Sequence, residues 1–166
     1  MSEEQVVENI NLTPELKEKL KGKTGISINN TFKYVPEVFR TKKENGEWEF
    51  PPETWSVFIL RTLSGIEISR LRDLCSSTTI KGGEESTILQ TGLLQTKIIK
   101  KGLKGWKRFY NIDFTSEIEF KKDFINKDGD LTQTALDFLS VDLAMELYVA
   151  ITARLELSEE ELRSLE

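Results

Sequence analysis

Apolar positions along the chain recur with two different periods, and the switches between them mark the elements. Gly25-Ile26-Ser27-Ile28-Asn29 and Phe32-Lys33-Tyr34-Val35 alternate apolar with polar residues, and each predicts a short strand. Trp55-Ser56-Val57-Phe58-Ile59-Leu60-Arg61 is aromatic and β-branched and predicts a third. Between them, residues 41–54 hold an Asn45-Gly46 pair and Pro51-Pro52, so a loop or loosely held hairpin is expected. After Ser64-Gly65 the period changes to that of a helix: Ile68, Leu71, Leu74 and Cys75 share one face, and Ser64 with Glu67 has capping-box spacing. Residues 76–86, with Lys81-Gly82-Gly83-Glu84, predict a flexible connector. Over 87–103, Leu89, Leu93, Leu94, Ile98 and Ile99 lie opposite lysines and predict an amphipathic helix closed by Gly102 and Gly105. A Gly-Trp turn (Lys104-Gly105-Trp106-Lys107) then leads into a hairpin over 109–114 and 117–120.

The last third is helical in pattern. Asp130 followed by Gln133 opens a helix through Leu136 and Leu139, and Leu143, Leu147, Ala150, Ile151 and Leu155 form the apolar face of the next, over 141–155. Ser158 and Glu161 have capping-box spacing, with Leu157 and Leu162 placed as a hydrophobic staple, so a short final helix is expected. Near the other end, Thr13-Pro14-Glu15 reads as N-cap, N1 proline and acidic first turn of a helix reaching about Gly22. The predicted fold class is α+β, a small antiparallel sheet with packed helices and a helical C-terminal part. Residues 1–12 are expected to be a flexible arm and 13–166 one domain, mixed over 13–125 and helical over 130–166. A chain of 166 residues can bury roughly 70% of its unfolded surface without covalent staples.

Composition narrows the chemistry. Histidine is absent, which removes Ser-His-Asp triads, Cys-His dyads and His-based zinc sites. The single Cys75 cannot form an internal disulfide and is expected as a small buried hydrophobe. Asn126-Lys127-Asp128-Gly129-Asp130 fails as a calcium loop, because Phe124 and Ala135 would stand where carboxylates must, and a turn is expected instead. Lys81-Gly82-Gly83-Glu84 lacks the phosphate-loop pattern. Glu47, Glu49, Glu53, Glu84 and Glu85 sit without an apolar setting that would split their pKa values, so they read as surface charge rather than paired catalytic acids. Lys97, Lys100, Lys101, Lys104, Lys107 and Arg108 adjoin Trp106, Phe109 and Tyr110 and could bind phosphates and stack bases. The net charge of −5 and the lack of any nucleic-acid motif argue against that partner, leaving a solvated face with Trp106 as an anchor. No stretch reaches 18 apolar residues and the N-terminus is acidic, so no membrane association is expected and the chain should stay where it is made. Contact rather than catalysis is the expected mode of action, without metal or cofactor.

Phe32 to Arg40 (Phe32-Lys33-Tyr34-Val35-Pro36-Glu37-Val38-Phe39-Arg40), the Pro-rich approach to Trp55-Ser56-Val57-Phe58-Ile59-Leu60, the Lys104-Gly105-Trp106-Lys107 string, Leu143, Glu146-Leu147, Ile151 and Leu157-Ser158-Glu159-Glu160-Glu161 together resemble tail assembly chaperones of long-tailed bacteriophages. The resemblance touches most of the chain from about Phe32 to Leu165. It departs at Lys107-Arg108-Phe109-Tyr110, where the family often has an Asn soon after the Gly-Trp pair, and at Thr115-Ser116, where it has a Gly. The resemblance implies a non-enzymatic helper in the host bacterial cytoplasm, which binds the tape measure protein and keeps it soluble while the tail tube assembles. Other tail proteins are alternative partners, and a homo-oligomer stays open. Leu93, Leu94, Ile98 and Ile99, or the stripe of Leu143, Leu147, Ile151 and Leu155, are the candidate partner surface, with flanking lysines steering acidic segments. The competing expectation is a structural virion protein, such as a tail completion, neck or baseplate component.

Overall fold

The computed structural model describes residues 13–15, 31–154 and 157–166. The predicted arm over 1–12, the strand at 25–29, Leu155 and all but the start of the first helix lie outside the described residues; Pro14 and Glu15 are helical. The elements follow as β1 (Thr31–Tyr34), β2 (Val57–Arg61), α1 (Gly65–Leu74), β3 (Ser76–Lys81), β4 (Glu84–Leu89), α2 (Thr91–Gly102), β5 (Leu103–Lys107), α3 (Gln133–Leu136), α4 (Val141–Ala153) and α5 (Glu159–Arg163). Single 3-10 turns lie at Glu37–Arg40, Pro52–Thr54 and Lys122–Phe124. The fold is α+β: an antiparallel sheet of order β1-β2-β5, a separate β3-β4 hairpin, and helices packed on the sheet. No helix among the described residues is long and apolar enough to cross a membrane.

Cross-strand pairing explains which sheet face is buried. Tyr34 opposes Phe58, which opposes Trp106, and Phe32 opposes Leu60, which opposes Leu103; these two rows face α2 and α4 in the main core. Leu103 and Trp106 are three residues apart, so a regular strand would send them to opposite faces. The register slips between Ile59 and Leu60, leaving Lys104 without an opposite residue, and this bulge brings both onto the core face. The expected Gly-Trp turn is therefore a strand: burial of Trp106 against Phe109, Phe120 and Phe124 outweighs the turn character of Gly105. The opposite face carries a smaller cluster of Val35, Trp55, Val57 and Leu157.

Helix ends follow the capping pattern closely. Ser64 accepts from the Glu67 N–H at 3.1 Å while the Glu67 carboxylate accepts from the Ser64 N–H at 2.9 Å. Ser158 and Glu161 reproduce the arrangement at α5. Thr132, not Asp130, caps α3; Asp130 instead pairs with Lys101. Leu74, expected on the apolar face of α1, is exposed, while Leu71 and Cys75 are buried.

The connector expected over 76–86 is an ordered hairpin. Gly82 and Gly83 both have positive φ, which suits the tight turn that matches strand twist, and the Thr78–Thr87 and Thr79–Ser86 hydroxyl pairs bridge the strands. Residues 87–89 consequently belong to β4, and α2 begins only at Thr91. Gly102 is the last residue of α2, and its backbone abuts Ile151 of α4: a β-carbon there would lie 2.6 to 2.9 Å from three Ile151 side-chain carbons. Its absence of a side chain sets the closeness of the two helices.

The Thr62 hydroxyl is buried with no hydrogen-bond partner among the described residues. Thr62→Val removes that unpaired group with little change of shape and is expected to leave stability unchanged or raise it by about 1 kcal/mol, read from the urea midpoint.

Candidate functional site

The chain segments that leave the sheet at one edge of the core enclose an open apolar groove of about 590 Å³. Its floor is Phe58 of β2 and Phe109, whose rings meet edge to face at 5.4 Å. Trp106 stands behind Phe109 and donates its indole N–H to the Ile118 carbonyl, so the floor is fixed from below. One wall is the Pro36–Phe39 stretch; another is Phe138, Leu139 and Leu143 at the junction of α3 and α4. The third is the loop after β5, which contributes Ile112, Phe114 and Ile118.

That loop is held rather than loose. Tyr110 and Glu117 form a single antiparallel bridge, and the Asn111 side-chain oxygen accepts from the N–H groups of Thr115 and Ser116. The hairpin expected over 109–120 is thus reduced to that bridge and an Asn-centred turn. The turn places Ile112 and Phe114 outward, 92% and 76% exposed, and holds Phe114 at φ 54°. A bulky residue in left-handed backbone is strained, and here the strain coincides with an apolar ring presented to solvent at a groove rim. Val38 and Phe138 add two more exposed apolar side chains around the same opening.

Polar groups fix the walls. Glu146 of α4 accepts from the Tyr34 hydroxyl and from the Glu37 N–H, both at 2.7 Å, and so pins β1 and the 3-10 turn that follows it to α4. Burial, reinforced by the hydrogen bond and charge of Glu146, pushes the Tyr34 phenol well above its ordinary value. Arg40 donates to the Val35 carbonyl at 2.9 Å and to Glu161 at 3.0 Å, and its guanidinium lies over the Tyr34 ring. Lys42 pairs with Glu160, so two ion pairs fasten α5 beside the groove wall. Burial pushes the Glu161 carboxyl up, but the Ser158 N–H and the Arg40 guanidinium outweigh it and hold the group below the usual carboxylate range. A depressed folded-state pKa stabilises above the unfolded value and is lost as pH falls through the folded one. Glu161→Gln is therefore expected to lower Tm at pH 7 and to narrow its gap to the unmodified protein as pH falls below about 4.3, the unperturbed carboxyl value, in paired thermal melts.

Most of the sequence-derived partner candidates fall elsewhere. Leu94, Ile98, Ile99, Leu147 and Ile151 are buried in the main core. Leu143 is half-buried and lines the groove, Leu93 is partly exposed on α2, and Leu155 lies outside the described residues. The basic run does not form one free patch: Lys101 pairs with Asp130, Lys104 donates to the Gly129 carbonyl, and Arg108 donates to the Glu53 carbonyl. Burial is the main cause that pulls the Lys104 ammonium below its usual range. Asn126 accepts from the N–H groups of Asp128 and Asp130, and Gly129 has positive φ, which makes that segment the expected turn.

Ile112 and Phe114 did not stand out in the sequence because Phe109-Tyr110-Asn111-Ile112-Asp113-Phe114 alternates as a strand would. The available signal was the cluster of turn formers around them, Asn111, Asp113, Thr115 and Ser116, which makes two large apolar residues anomalous. No protein-family model matches the chain, and no curated protein and no solved structure is significantly similar to it.

Proposed function

We propose that this protein is a non-enzymatic phage tail assembly chaperone that binds the tape measure protein and keeps it soluble until the tail tube forms around it. The observation that carries the reading is the groove: four exposed apolar side chains, Val38, Ile112, Phe114 and Phe138, converge on one opening whose floor is already packed. A client with repeating apolar faces needs a surface of this kind, apolar enough to shield a segment and open enough to release it. The α+β fold, the absence of histidine and the sequence resemblance are compatible with that role. Leu143 keeps a place in the partner surface, whereas Leu93 on α2 lies outside the lining and the buried members of the two stripes belong to the main core.

Co-expression with the tape measure protein of the same phage, followed by size exclusion with light scattering, tests the proposal. A soluble complex is expected where the tape measure protein alone is insoluble. No complex, together with the chain present in purified particles by mass spectrometry, would transfer the assignment to a virion component.

A further inference from the structure

The groove has a sign as well as a shape. Its charged lining residues among the described ones, Asp137 and Glu146, are both acidic, and no described lysine or arginine lines it. Asp113 stands between the rim residues Ile112 and Phe114, and Glu37 between the lining residues Pro36 and Val38; both are exposed. The nearest cations along the chain are already engaged, Arg40 with the Val35 carbonyl and Glu161, and Arg108 with the Glu53 carbonyl. An apolar floor with two carboxylates in its lining and two more on the adjoining exposed segments selects against an acidic occupant and favours one whose apolar face is bordered by ammonium or guanidinium groups. Resting on the groove being the partner site, we infer that it takes a basic amphipathic helix, with apolar side chains on the Phe58–Phe109 floor and lysines or arginines meeting Asp113 and Asp137 at the rim. This reverses the charge expected from the lysines of α2, which lie away from the opening.

The test uses the full chain and three labelled 18-residue peptides in fluorescence anisotropy. One repeats leucine at i, i+3, i+4 and i+7 with lysine elsewhere, the second has glutamate in place of lysine, and the third scrambles the first. The lysine amphipath is expected to bind at least tenfold more tightly than the glutamate amphipath and the scramble. The double variant Asp113→Asn/Asp137→Asn should lose most of that preference, since both side chains are exposed and asparagine keeps the acceptor that Gln133 uses on residue 137. Glu84→Gln/Glu85→Gln, at the tip of the β3-β4 hairpin, none of whose residues lines the groove, changes net charge equally and should leave it intact. Glu146 is left unaltered because it anchors Tyr34 and Glu37. Equal binding of the lysine and glutamate peptides, binding of neither, or an equal effect of the two charge variants would overturn the inference. If the tape measure complex still forms and is still broken by Phe114→Gly, the groove stands and only its charge preference falls; if that complex never forms, the groove proposal itself has failed.

Discussion

On the proposed function, Phe114→Gly is expected to abolish capture of the tape measure protein while leaving the folded chain at least as stable as before. The two effects separate because the residue's backbone and ring do different things. At φ 54° a side chain costs roughly 1–2 kcal/mol relative to ordinary backbone, and glycine removes that cost. Glycine also gains more freedom when unfolded, roughly 0.5–1 kcal/mol against it, so Tm should hold or rise slightly. The ring is 76% exposed and contributes little to the core, so its loss is felt by an occupant of the groove. Pairing it with Ile112→Ser removes both outward residues of the loop. Unchanged Tm with no soluble complex by size exclusion is the expected pair of results; retained complex formation would assign the binding surface elsewhere.

Ile98→Ala is expected to cost about 2–5 kcal/mol, a large share of the stability of a domain this size, whereas Leu93→Ala should stay within about 0.5 kcal/mol. The two residues belong to the same helical stripe in sequence, yet Ile98 is fully buried and Leu93 is 42% exposed. Gly102→Ala on the same helix should cost about 1–3 kcal/mol, because the new methyl group meets Ile151, a buried β-branched side chain with little room to turn. Denaturant melts of the three variants rank these effects. Loss of partner binding without loss of stability in Ile98→Ala would contradict its place in the core.

Local signals were the legible part of the fold. Ser64 with Glu67 and Ser158 with Glu161 specify their helix starts through bonds that span three residues, so spacing alone locates them. The Val57-Phe58-Ile59-Leu60-Arg61 run is a central strand because its β-branched, aromatic and aliphatic residues suit a buried sheet wherever it pairs. What escaped were decisions made by distant partners. Trp106 belongs to a strand because Phe58 lies opposite and Lys104 bulges out, and nothing near Gly105 reports either fact. Residues 76–89 pair with each other in an exposed hairpin of Ser, Thr and Ile, whose polar character resembles that of a loop.

The site was less legible for a related reason. Helical spacing identifies which side chains share a face but not whether that face looks inward, and α2 and α4 turn most of theirs onto each other and the sheet. The groove joins Pro36–Phe39, Phe58, the 109–118 loop and the α3–α4 junction, four segments far apart in the chain. Among the described residues, Leu143 is the one sequence-derived candidate that reaches its lining.

Hydrogen–deuterium exchange on the complex with the tape measure protein tests the central claim most directly. Slowed exchange confined to residues 36–39, 109–118 and 137–146 is the expected result, with the β3-β4 hairpin and α2 unchanged. Protection that spares those three segments and falls on the hairpin or α2 would contradict the groove as the site of capture.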